Sequence, residues 1–194
     1  MTTSGEGKAV DFGSVRFVFL DRDGVINRNP PGGNYVTSWS EFEVLPGAER
    51  AIALLNQSSR KVLVVTNQRG IALGRLSGAD LRLIHEDLQQ HLGSFGAHLD
   101  SIYYCQHDVG QCKCRKPGTG LFEQAFHEFP AASPANSVMI GDSDSDILAG
   151  TSLGMKTILI TDKPDARQDL AVVPSATGRS LLEAVETYLL LKAC

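Results

Sequence analysis

Val15-Arg16-Phe17-Val18-Phe19-Leu20-Asp21-Arg22-Asp23-Gly24-Val25-Ile26-Asn27 begins as a short apolar run and stops in two carboxylates two residues apart. The Val and Phe residues at its start mark a buried strand. In an open α/β sheet, chemistry gathers beyond the carboxyl ends of the strands. Asp21 and Asp23 are therefore expected at the mouth of a cleft, with Gly24 letting the chain turn sharply away. Two crowded carboxylates repel each other unless a cation joins them. The pair thus predicts a magnesium site in which one acid is a nucleophile and the other a proton shuttle. A bare D-x-D also occurs in solvated loops, so the rest of the chain decides between the two.

The 194-residue chain is 42% hydrophobic and 21% charged, with a net charge of -4. That length supports one core, and residues 15–194 are expected to form one domain. The charge supplies no basic field for nucleic acid or anionic lipid. No apolar run is long enough to span a bilayer. Residues 1–14, polar and Gly-rich without a signal-peptide core, read as a disordered tail. The expectation is a cytoplasmic monomer, a compartment that suits four cysteines kept reduced or bound to metal.

Working outward, residues 24–40 hold Pro30, Pro31, Gly32 and Gly33 and read as a flap over the cleft. Pro46 at a first helical position, with Ala48, Ala51, Ile52 and Leu55, predicts a helix. Residues 61–66 form a second apolar run that also ends in polar groups: Thr66, Asn67, Gln68 and Arg69. Ser77 with Asp80 three residues on opens a helix whose stripe is Leu81, Ile84, Leu88 and Leu92. Residues 101–104 read as a third strand, and Phe122, Ala125, Phe126 and Phe129 mark the next helix. Residues 137–140 give a fourth strand, followed by Asp142, Asp144 and Asp146 and a helix closed by Gly154. Residues 155–160 are a fifth strand, and residues 171–173 a short edge strand before Pro174. Ser180 with Glu183 caps a last helix. Strands alternating with helices predict an α/β fold with a doubly wound, mostly parallel, Rossmann-like sheet.

Three strands stop in polar sets at one edge: Asp21 and Asp23, Thr66 and Asn67, Asp142 and Asp146. A core needs none of these, whereas phosphate transfer needs them all. Asp21 would attack phosphorus. Asp23 would protonate the leaving alkoxide and then take a proton from the hydrolytic water. Magnesium held by Asp21, the Asp23 carbonyl and Asp142 would offset the repulsion between carboxylate and phosphate. Thr66 would donate its hydroxyl proton to a phosphoryl oxygen, and Lys116 would steady developing negative charge.

Cys105, His107, Cys112 and Cys114 place three thiols and an imidazole within ten residues. Together they make a complete tetrahedral zinc shell with no open position, hence a structural site. A disulfide and unpaired thiols are the alternatives. Pinned by zinc, the loop over residues 105–115 would fix Arg115 and Lys116 without itself touching substrate. Cys194 is left over as a terminal thiol.

Asp21-Arg22-Asp23-Gly24, Thr66-Asn67, Arg115-Lys116-Pro117 and Gly141-Asp142-x-x-x-Asp146 resemble the four motifs of the haloacid-dehalogenase superfamily of aspartate phosphatases, in order. The resemblance covers residues 15–160 and implies magnesium, an aspartyl-phosphate on Asp21 and the roles assigned above. With no long insertion after the first or third strand, it implies a capless member acting on a small phosphorylated metabolite. The cysteine cluster before Arg115 is similar to two capless subfamilies, the heptose 1,7-bisphosphate phosphatases and the histidinol-phosphate phosphatases. Tyr35-Val36, Gly70-Ile71-Ala72-Leu73-Gly74 and Ile102-Tyr103-Tyr104-Cys105 resemble the heptose enzymes. The short spacer between His107 and Cys112 is nearer the histidinol-phosphate length, and Ser143 stands where heptose enzymes usually carry lysine. The resemblance implies that Arg115 recognises the sugar end, and that Asn67, Gln68, Arg69 and Tyr35 line the substrate site. A zinc-loop binding module without catalysis is the reading from another class.

His85, His91, His98 and His127 fall on or beside helices with no partner evident in the sequence, and read as surface residues. Arg22 is expected to point away from the cleft if its two acidic neighbours point in. Asp146 reads as support for the magnesium shell from second position. Asp144 reads as solvated or capping, and Trp39 and Phe42 as packing beneath the flap.

Overall fold

The computed structural model describes residues 10–162 and 171–190. Its first strand, β1 (Phe17–Leu20), is buried along its whole length because both faces are covered. Val18 and Leu20 pack with Val62, Val64, Ile52 and Leu81 on one face of the sheet. Phe17 and Phe19 pack with Leu63, Val65, Phe122 and Met139 on the other. The two-residue period of a strand thus feeds two cores, and each filled side chain of this size contributes about 1.5–3 kcal/mol. The Phe19 ring lies 5.3 Å from Phe122 and 5.6 Å from Phe126.

The chain continues through α1 (Ala48–Gln57), β2 (Lys61–Asn67), α2 (Gly78–Ser94), β3 (Ser101–Cys105) and α3 (Gly120–Glu128). It then runs through β4 (Ser137–Gly141), α4 (Asp144–Ser152), β5 (Lys156–Ile160), β6 (Ala176–Gly178) and α5 (Leu181–Ala184), the last extended by a π-helical turn over Val185–Leu189. The strands lie in the order β3-β2-β1-β4-β5-β6, and every pairing is parallel. Winding outward in both directions from β1 and β4 leaves a switch point between them, where α/β sheets open a crevice. The register aligns Leu20 with Val64 and with Ile140. Asp21, Thr66 and Asp142 therefore leave the sheet at one edge. Among the described residues no cap domain is inserted; turns and two 3-10 segments (Pro31–Gly33 and Trp39–Glu41) cross above that edge. Among the described residues no helix is long and apolar enough to cross a membrane.

Three expectations are corrected. The tail does not reach residue 14: Phe12 is 4% exposed and packs on Tyr188 at 5.4 Å, while residues 1–9 lie outside the described ones. The edge strand expected at 171–173 is instead β6 at Ala176–Gly178, and Val173 is 70% exposed. A side chain on Gly178 would press on Ala184 of α5, so glycine there permits the close helix approach. Pro46 lies before the helix, whose N-cap is Gly47 at a φ of 83°. Cys194 lies outside the described residues.

Candidate active site

Asp21 follows the last residue of β1, and its backbone N–H donates to the Ile140 carbonyl at 2.9 Å, tying the site to β4. Gly24, at a φ of 83°, turns the chain away. A Cβ there would run into the Asp142 carboxylate, so glycine is required both for the turn and for the close approach. Asp142 follows β4, and its Oδ2 accepts from Asn29 Nδ2 at 2.7 Å. Asp146 sits in the first turn of α4, where Ser143 and Asp146 cap reciprocally. Oxygens of Asp21, Asp142 and Asp146 all lie within 4.8 Å of one another.

Lys116 enters from the loop after the cysteine cluster and is buried. Its Nζ lies 3.0 Å from Asp21 Oδ1 and 2.6 Å from Asp146 Oδ1, and donates to the Val65 carbonyl at 2.7 Å. Burial works against its charge, but Asp146 and Asp21 outweigh that and raise its pKa. Burial pushes Asp21 up to about 7; Lys116 opposes the shift, while Asp146, Asp23 and Asp142 add to it. Burial and Asp146 likewise push Asp142 up to about 6. Three carboxylates around one ammonium, two of them resisting ionisation, form a donor set that a hard divalent cation fits.

Asp23 faces the same cleft in the opposite environment. Its Oδ1 accepts from Arg22 Nη2 at 3.0 Å and Asn27 Nδ2 at 2.8 Å, and its Oδ2 from Arg22 Nη2 at 3.1 Å and Gln68 Nε2 at 2.8 Å. Burial favours the neutral acid, yet the Arg22 charge and these hydrogen bonds bring the carboxyl below its usual range. Gln68 also donates to Thr66 Oγ1 at 3.0 Å, which leaves the Thr66 hydroxyl proton free for another acceptor. Asp21, Asp23, Thr66, Asn67, Gln68, Tyr35 and Asp142 line a cleft of about 280 Å³. Across Asn29, Pro30, Asn34, Tyr35 and Val36 it adjoins a groove of about 700 Å³ that holds Arg28, Arg69 and Arg75.

The cysteine cluster closes on itself. Cys114 Sγ lies 3.3 Å from Cys105 Sγ, 3.2 Å from Cys112 Sγ and 3.3 Å from His107 Nδ1. Burial and the neighbouring thiols push Cys114 up to about 12, so a thiolate there needs a cation beside it. Three thiols and an imidazole nitrogen gathered this closely are the donor set that a single tetrahedral zinc would take. The loop is tied to the cleft by two further contacts. Arg69 Nε donates to Asp108 Oδ1, and Asn67 exchanges hydrogen bonds with the Lys116 backbone at 3.0 and 3.1 Å.

A family model described as HAD-hydrolase-like matches residues 113–184. A D-glycero-alpha-D-manno-heptose-1,7-bisphosphate 7-phosphatase from Mycobacterium bovis is 44% identical over 131 residues, covering 67% of this chain and 68% of that one. The chain belongs to the haloacid-dehalogenase superfamily of phosphatases. A D-glycero-beta-D-manno-heptose-1,7-bisphosphate 7-phosphatase from Vibrio cholerae is 36% identical over 165 residues, 80% of this chain and 87% of that one. Among solved structures, the D,D-heptose 1,7-bisphosphate phosphatase of B. bronchiseptica, complexed with magnesium and phosphate, superposes with a TM-score of 0.82. It is 29% identical and covers 90% of this chain and 98% of that one.

Within this superfamily frame, several side chains sit differently from the sequence expectation. Arg22 is 1% exposed, lies between His85 and Phe42, and still grips its neighbour Asp23. Strand alternation stops applying at Leu20, where β1 ends, so Arg22 lies in a bend. His85 is not a surface residue but is buried beside Arg22. The Asn67 amide is held by the Lys116 backbone and that of Gln68 donates to Asp23 and Thr66, while both residues line the cleft. Arg115 is not part of the cleft lining; its Nη1 is buried without a hydrogen-bond partner, close to Asp108. Asn29, which the sequence reading passes over, lines the cleft and orients Asp142. Trp39 and Phe42 stack at 4.9 Å, as packing beneath the flap requires.

Proposed function

We propose that this phosphatase removes the C7 phosphate of D-glycero-D-manno-heptose 1,7-bisphosphate through an aspartyl-phosphate on Asp21. The observation that carries the chemistry is the pair of carboxylates on one cleft, one beside Lys116 and two further acids, the other surrounded by donors. Asp21 attacks phosphorus, forming an Asp21–O–P bond as the bond from phosphorus to the sugar oxygen breaks. Asp23, a carboxylate in the free site, takes up a proton as the phosphate dianion brings negative charge beside it, and delivers that proton to the sugar oxygen. Asp23 then takes a proton from water as the water attacks phosphorus, which releases phosphate and restores the Asp21 carboxylate. Lys116 and the Thr66 hydroxyl neutralise charge on the phosphoryl oxygens. Asp21, Asp142 and the Asp23 carbonyl would hold magnesium, which would supply the charge that lets an anionic nucleophile approach an anionic phosphate. Cys105, His107, Cys112 and Cys114 would hold zinc, which would fix the loop that carries Arg115 and Lys116.

The sugar assignment rests on the relatives' substrates and on the groove with Arg28, Arg69 and Arg75, which suits a second anionic end. Three clustered thiols fit a reducing cytoplasm. The test is side-by-side turnover of both heptose bisphosphate anomers and histidinol phosphate by the purified chain. A kcat/KM about 100-fold higher on a heptose bisphosphate is expected, and the reverse ratio overturns the assignment.

A further inference from the structure

Arg22 and His85 are buried, titratable groups that the mechanism above leaves unused. We propose that they form a clamp holding the Asp23 carboxylate in line with the leaving oxygen, which makes both positioning residues for proton transfer. The proposal rests on the assignment of Asp23 as the acid–base group. The Arg22 side chain is 1% exposed while that of Asp23 stays 23% exposed, so the guanidinium is sealed behind a carboxylate that still opens on the cleft. Arg22 Nη2 spans both carboxylate oxygens, at 3.0 and 3.1 Å. Its Nη1 lies 3.3 Å from His85 Nε2, 63 residues along the chain. A guanidinium has no acceptor, so Nε2 must accept and the His85 ring must be neutral with its proton on Nδ1. Burial and the Arg22 charge hold it neutral, pulling its pKa down to about 3 against the influence of Asp23.

Packing holds the clamp, although Arg22 Nε has no hydrogen-bond partner and His85 borders a groove between α2 and β3. His85 is 8% exposed on α2, whose start is fixed by the reciprocal caps of Ser77 and Asp80, and its ring meets the edge of Tyr104 at 5.9 Å. The guanidinium lies 5.6 Å from the Phe42 ring centre. A buried ion pair adds little stability over well-packed apolar residues, so stability alone is a weak reason for placing an arginine here. Fixing the direction of a proton transfer is a stronger one, since small misplacements of a catalytic group are felt in rate.

The experiment compares a sugar phosphate, whose alkoxide needs a proton to depart, with 4-nitrophenyl phosphate, whose phenolate does not. His85→Leu and Arg22→Lys are expected to lower kcat on the heptose bisphosphate by about 10-fold or more with KM little changed, and to lower it much less on the aryl phosphate. His85→Gln, whose amide oxygen can still accept from Arg22, is expected to restore most of the loss. Asp23→Asn serves as the reference. If it shows no preference between leaving groups, the acid–base assignment itself fails. If it shows the preference and the two clamp variants do not, or if Leu and Gln at 85 fall alike, the clamp is refuted. A loss confined to KM refutes it too, independently of the aryl substrate.

Discussion

The two sides of the cleft are built from residues two apart in the chain, yet they are electrostatic opposites. Around Asp21 the fold gathers Asp142 and Asp146 with one ammonium, leaving an excess of negative charge in a buried space. Around Asp23 it gathers Arg22, Asn27 and Gln68, so this carboxylate is already satisfied by protein donors. Identical side chains are thereby driven apart: Asp21 up to about 7, Asp23 below its usual range. The difference teaches that a D-x-D motif does not itself assign roles. The residues that reach this sheet edge set the resting charge of each acid, and magnesium beside Asp21 and phosphate beside Asp23 would reverse it for attack and proton transfer.

The largest break in this asymmetry is Asp21→Asn. Its kcat should fall by about 10⁴-fold or more. The melting temperature should hold or rise, because a carboxylate is removed from a crowded acidic set. Steady-state rates and thermal melting check both halves, and a few per cent of residual activity would contradict the nucleophile assignment. Cys114→Ser should act less, and on the Asp21 side indirectly, through the loop that carries Lys116. A loss of about 10-fold in kcat together with about 5–10 °C in melting temperature is expected. A zinc-chelated protein that kept full kcat would show that the loop does not position Lys116.

The smallest effect is one of pH. Asp21 and Asp142 have folded pKa values of about 7 and about 6 against 3.8 for a free aspartate. A carboxyl raised in the folded state binds protons more tightly there, so these two groups subtract stability as pH rises from 3.8 towards 7. Magnesium competes with those protons and should bind more tightly as pH rises through the same window. The magnesium-induced rise in melting temperature should therefore be larger at about pH 8 than at about pH 5. An equal rise at both would sever the link between the acidic side and the metal.

Much of the fold can be read directly from the chain, because apolar runs ending in polar sets report both the strands and the edge where they end. Asp21, Thr66 and Asp142 fall together for that reason, and Lys116 joins them from the loop after the cysteine cluster. The sequence shows less where position depends on partners distant in the chain. His85 looks like one more surface histidine until Arg22 is placed beside it, and Arg22 defies strand alternation because the strand has already ended. Asp146 reads as support for a metal from behind; its 2.6 Å approach to Lys116 depends on how far the cysteine loop reaches inward. Val172 and Val173 carry β propensity, but the sheet edge is Ala176–Gly178, where Gly178 lets α5 approach closely.

The most direct test traps the covalent step. Quenching turnover of the heptose bisphosphate with borohydride reduces an aspartyl-phosphate to homoserine, and peptide mass spectrometry locates the change. Homoserine at residue 21 with unmodified aspartate at residue 23 is the expected result. Homoserine at 23, or none at either position during active turnover, would contradict the division of labour between the two carboxylates.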